Sequence, residues 1–298
     1  MRVSDGFARV LVLAFSGDPA PSVQRREHTL AILTPAERGL RVVQELTWNS
    51  LPEVVGPLLQ PDTLWAVDFP CSFPRGFVAH ATGESETWDA ALAWADVHGE
   101  LTLAAGRPPF WGRRNERRPK PDALPGFGLA SLHRACERAY PPAKSVFHVA
   151  GPDAVGTAAL RGMAWLRRSG LRARVHAWPF DGAADGTRPV LAEVLPRAFW
   201  PDMRIEDPAA RRARIAAVRS EGWQADEVAW AAAERPFGFR AVTAVAGLAA
   251  LFARDPGLLA DPARAPVADL ALRYEGWALG PLGAPGSDVG QGAGTPSC

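Results

Sequence analysis

Two acids in this chain sit where acids are expensive. Asp68 closes the apolar run Trp65-Ala-Val-Asp68-Phe-Pro70, and Glu193 interrupts Val190-Leu-Ala-Glu193-Val-Leu-Pro196. A carboxylate in such a run must be hydrogen-bonded, paired with a cation or held on a metal. Strand ends are also where α/β folds place their chemistry. Structural pairing and a functional site both satisfy these two residues, and each would need a partner from elsewhere in the chain.

Two further segments carry chemistry-bearing residues. Gly151-Pro-Asp-Ala-Val-Gly156-Thr157 resembles a phosphate loop without its lysine, so Gly151, Gly156 and Thr157 are phosphate-binding candidates. The competing reading is a tight strand-to-helix turn that needs glycine for its geometry alone. Between 106 and 126 runs a Pro-rich basic arm with Arg107, Phe110, Trp111, Arg113, Arg114, Arg117, Arg118 and Lys120. Arginines interleaved with aromatics suit phosphate contact and base stacking, which makes Arg113, Arg114, Arg117 and Arg118 nucleic-acid candidates. A solvated loop balanced by Glu116 and Asp122 explains the same composition. His133 and Cys136 have the spacing of a metal pair, but no second ligand pair accompanies them. G-x-S-x-G, H-E-x-x-H and G-x-G-x-x-G after a strand are absent.

The elements that must position these groups read as α/β. Residues 8–16, 28–34 and 40–48 form three strands, 50–60 a short helix, and 63–69 a buried strand stopped by Pro70. Helices follow over 86–106 and around 127–140, then a strand at 144–150 and an amphipathic helix from the Gly-rich turn to 170. Strands are expected at 175–180 and 191–196, and three helical pieces from 207 to 254 break near Gly222 and at Arg235-Pro236. One α/β domain over 1–280, with a helical and loop insertion near 84–143, precedes a low-complexity tail at 281–298 expected to be disordered.

Composition bounds the rest. The chain has 298 residues, 47% of them hydrophobic, which suffices for a core and excludes a mainly disordered protein. Its net charge of +1 excludes a polybasic protein, so any nucleic-acid contact must be local. Three cysteines are too few and too scattered for a disulfide framework, and no apolar run approaches the roughly 18 residues of a membrane span. A cytoplasmic protein with no membrane association is the expectation.

In order along the chain, AVDFPCSFP, KSVFHVAGPDAVGTAALRGM, AWPFDG, AEVLPRAFW, FRAVTAVAGLAALF and EGW at 275–277 resemble the DUF429 family of predicted nucleases. The resemblance spans roughly residues 8–280 and is most specific from Lys144 to Pro196. It implies an RNase H-like fold: a mixed sheet flanked by helices, in which acids from separate strands and a late helix hold divalent metals for phosphodiester hydrolysis. Asp68 and Glu193 match those acids. Where the family usually reads Val-Asp-x-Ser-Gly, this chain has Ala14-Phe15-Ser16-Gly17. Where the family tends to read Asp-Ala-x-Asp-Ala, it has Arg240-Ala-Val-Thr243-Ala.

With Ala14, Arg240 and Thr243 in place of acids, the resemblance implies a degenerate nuclease whose metal chemistry is weak or lost. Such a protein would bind nucleic acid or another phosphorylated ligand, with no cofactor expected. The alternatives are an active nuclease using Mg²⁺ or Mn²⁺ on Asp68, Glu193 and Asp18, and a protein-interaction scaffold. If the late helix keeps the family register, Arg240 points at Asp68 and Glu193 and neutralises both. A slip of a residue or two would turn it to solvent.

Overall fold

The computed structural model describes residues 6–83, 85–105, 108–112, 131–140, 143–151, 154–200, 205–260 and 274–280. Seven strands form one mixed sheet: β1 (Arg9–Ala14), β2 (Thr29–Thr34), β3 (Gly39–Val43), β4 (Thr63–Val67), β5 (His176–Ala177), β6 (Val190–Val194) and β7 (Ala278–Leu279). Their order is β3-β2-β1-β4-β6-β5, with β7 also on β6. β2 runs antiparallel to both β1 and β3, whereas β4 pairs parallel with β1, and β6 parallel with β4. The central strands β1, β4 and β6 are buried almost throughout, as expected where helices cover both faces.

Alternation along the strands divides the core in two. Val10, Val12, Ala14, Leu64, Ala66 and Val194 face α7 (Pro208–Ser220), α8 (Glu227–Ala233) and α9 (Pro236–Arg254). Leu11, Leu13, Trp65, Val67 and Leu191 face the other layer. That layer holds α2 (Leu51–Val55), α3 (Phe77–Thr82), α4 (Trp88–Ala105) and α6 (Gly156–Arg168). The short α1 (Pro21–Glu27) follows β1, and α5 (Ala135–Ala139) precedes the Gly-rich turn. By length and composition alone α9 could cross a membrane, but most of it is buried and it lies against β1 and β2.

Three departures from the sequence reading have local causes. Residues 144–150 make no strand beyond one bridge from His148 to Trp111. Ser145 turns the chain there, its hydroxyl accepting from the Phe147 N–H and its carbonyl from the His148 N–H. The turn-rich SGDPAPS stretch starts α1, with Pro21 in its first turn, where a missing N–H costs nothing. β7 is only two residues long and has no pattern a sequence could display. Of the expected helix around 127–140, residues 131–140 are described and only α5 is helical. The tail at 281–298 lies outside the described residues.

Candidate site at the carboxyl end of the sheet

Asp68 leaves the end of β4 and Glu193 lies in β6, the adjacent parallel strand, where it pairs in register with Val67. Both line one cavity of about 300 Å³ beyond the strand ends. The one-residue offset matters. Asp68 continues the Leu64, Ala66 side of β4 toward α9, while Glu193 alternates to the opposite face from Val194. The two acids share an end of the sheet but point to different layers, and each meets its own arginine.

On the α9 side, Arg240 Nη2 stands 2.7 Å from Asp68 Oδ2. The contact is a close ion pair without an aligned hydrogen bond at Oδ2. Asp68 Oδ1 accepts the Phe15 N–H at 2.9 Å. Burial raises the Asp68 carboxyl to a pKa of about 6, against the opposing pull of the Arg240 charge and the Phe15 N–H. Ala14 is fully buried at the end of β1, one residue beyond the pairing of Leu13 with Val67. It therefore lies beside Asp68 on the face that α9 covers. Thr243 is turned away, its hydroxyl donating to the Phe239 carbonyl at 2.6 Å within the helix.

Glu193 is held by Arg134, a residue the sequence reading did not single out. Arg134 donates from Nη2 to Glu193 Oε1 at 2.6 Å and from Nη1 to Oε2 at 2.7 Å. Its Nε donates to Glu137 Oε1 at 2.8 Å, and Nη1 also reaches the Glu275 carbonyl at 3.2 Å. Glu193 Oε2 further accepts the Cys71 N–H at 2.9 Å. Glu137 closes back on the Arg134 N–H at 2.9 Å, the half of a capping box that starts α5. Burial raises the Glu137 carboxyl despite Arg134. Arg134 is 1% exposed with all of its guanidinium nitrogens engaged, so it is a structural cation. Two signals for this network were in the sequence: Glu137 three residues after Arg134, and Glu275 in the EGW triplet. The expectation that Arg240 serves both acids is corrected accordingly.

The other candidates with described positions have local structural roles. Gly156 gives its N–H to the His148 carbonyl, and Thr157 gives its hydroxyl to the Val149 carbonyl at 2.6 Å. A Cβ on Gly156 would stand 2.2 Å from the Val146 carbonyl oxygen. These residues build a turn, and Gly151, at positive φ, belongs to its entry. Asp18 Oδ1 accepts the Ala20 N–H at 2.8 Å, holding the loop into α1. Arg113, Arg114, Arg117 and Arg118 lie outside the described residues. The arm's two aromatics are packed: Phe110 is buried among Phe73, Phe77, Trp94 and Phe147, and Trp111 stacks on His148.

A pair of divalent metals does not fit this donor set. Glu193 has both oxygens on Arg134, Asp68 faces a guanidinium, and Ala14 and Thr243 offer no carboxylate. Among the described residues, no three His, Cys, Asp or Glu side chains gather as a metal-holding group. Comparison with family models, curated proteins and solved structures gives no match.

Proposed function

We propose that this chain is a degenerate relative of the RNase H-like DUF429 nucleases, its metal site replaced by arginine–carboxylate pairs, and that it acts by binding a phosphorylated ligand or nucleic acid. The observation that carries this reading is the Arg240–Asp68 pair. A cation on the late helix faces the surviving strand acid, where the resemblance expects an acid and a metal. One substitution both balances a buried carboxylate and repels Mg²⁺. A sheet whose first three strands are antiparallel, and whose later strands return parallel to the first, supports the RNase H-like reading.

The test is calorimetric titration of Mg²⁺ and Mn²⁺ alongside cleavage of a mixed DNA and RNA panel, wild type against Asp68→Ala. The expected result is no metal-dependent cleavage and no site-specific metal heat that Asp68→Ala removes. Metal-dependent cleavage lost in Asp68→Ala would make the chain an active nuclease instead. Binding to the same panel should weaken as salt rises. Salt-independent association with protein alone would favour a scaffold.

A further inference from the structure

Arg134 and Arg240 differ in what they have left to give. Every nitrogen of the Arg134 guanidinium meets a carboxylate. Arg240 meets Asp68 through Nη2, stands over the Phe237 ring at 4.9 Å, and keeps its side chain 28% exposed. Arg240 lines the 300 Å³ cavity, and Lys144 and Arg197 line the same space. Lys144 is exposed and its ammonium has no described partner.

The amino-terminal approach to α6, at Ala154 and Val155, forms another part of the wall. The positive end of this 13-residue helix therefore borders the same cavity. The remaining walls are apolar: Phe69, Leu195, Trp200 and Ile205. Of the lining acids, Asp68, Glu137 and Glu193 already have cationic partners, and Glu206 is exposed at the rim.

We infer that this cavity is a site for a terminal phosphate monoester on a planar or apolar body, with Arg240 and Lys144 as its principal ligands. The inference rests on the reading of this cleft as a metal-free remnant and adds the class of ligand. The volume, about 300 Å³, is at the lower end of small-molecule pockets and holds one nucleotide-sized group. Charge argues for a terminal group over an internal phosphodiester, because a monoester near neutral pH carries a second negative charge that a diester lacks, and Arg240 and Lys144 bring two cations to the cavity. Trp200 and the aliphatic wall give the body an apolar surface. The chemistry could come from a free nucleotide or from the 5′ end of a nucleic acid.

The test is calorimetry of the full chain without divalent metal, using adenosine 5′-monophosphate, adenosine, a 5′-phosphorylated single-stranded decamer and the same decamer without its phosphate. The phosphorylated probes should bind at least tenfold more tightly than their unphosphorylated counterparts. Lys144→Ala, a surface change that leaves the fold intact, should weaken them about fivefold. Asp68→Ala with Arg240→Ala removes both members of the buried pair and should abolish the preference while circular dichroism is unchanged. A decamer much tighter than the mononucleotide identifies a nucleic-acid end; equal affinities identify the free nucleotide. Equal binding with and without the phosphate, an unaltered preference in the double variant, or no binding to any probe overturns the site. The absence of metal-dependent cleavage would stand in each of those cases, so the site and the metal-free reading of the cleft fail separately.

Discussion

Arg134 grips Glu193 with both of its terminal nitrogens, across 59 residues of sequence and with almost no exposure to water. Removing one partner of such a pair strands the other charge in a low dielectric. Arg134→Ala should cost about 3–5 kcal/mol, the usual range for a broken buried pair. Urea denaturation followed by circular dichroism measures it. A loss below 1 kcal/mol would mean that water reaches Glu193 as soon as the guanidinium leaves.

Arg240→Ala should be milder, because Arg240 is partly exposed and Asp68 can take up a proton once it is gone. Adding Asp68→Asn to Arg240→Ala should recover part of the loss by removing the unpaired charge. The double-mutant cycle in denaturant reads the coupling directly.

The pH profile follows from Asp68. Its folded pKa, about 6, lies above the ordinary value of 3.8, so the folded state holds this proton more tightly than the unfolded chain. Its contribution to stability is complete below 3.8 and declines as pH rises through about 6. Asp68→Asn should flatten that stretch of the curve relative to wild type. Thermal unfolding at half-unit pH steps checks this, and a wild-type curve already parallel to the variant's would remove the assignment.

Gly156 separates a turn from a phosphate loop. A Cβ there would meet the Val146 and His148 carbonyl oxygens at 2.2 and 2.8 Å, so Gly156→Ala must displace backbone. The expected loss is about 1–3 kcal/mol, as for other strained close contacts. Chemical denaturation measures it, and a variant as stable as wild type would show that the turn does not need glycine there.

Introducing acids tests the proposed origin of the site. Ala14→Asp together with Arg240→Asp would place three carboxylates on the α9 side of the sheet end, with Asp68 as the third. Calorimetry should show Mn²⁺ affinity at least tenfold above wild type. Thr243→Asp should add little, since that position is buried and turned toward Phe239.

Much of this arrangement was legible because it is local. The strands around Leu11, Leu30 and Trp65 are short apolar runs between turn residues, and α7 to α9 are separated by Gly222 and by Arg235-Pro236. The cost of burying Asp68 and Glu193 announced that each needed a partner. One partner was named only through the family resemblance, whose register points Arg240 at both Asp68 and Glu193; the structure gives it Asp68 alone. Arg134 was not, because a charged residue beside a short helix looks like a surface residue until distant chain folds over it. The opposite orientations of Asp68 and Glu193 depend on the β4–β6 register, a pairing between segments more than 120 residues apart. No pattern within either segment encodes it.

The segment from Tyr274 to Gly280 also sets an order of events in the cell. Its Tyr274 carbonyl accepts the Ser72 hydroxyl, and its Glu275 carboxylate accepts N–H groups from Arg75 and Ala135. Its last residues add β7 to the sheet beside Glu193. A ribosome must therefore release the chain through Gly280 before the cage around Arg134 can close. Until then a nascent sheet carries Glu193 and Arg134 without their final cover, and the longest-range contacts of the site are the last to become available. A chain stalled before residue 274 would have the sheet's central strands without a closed centre.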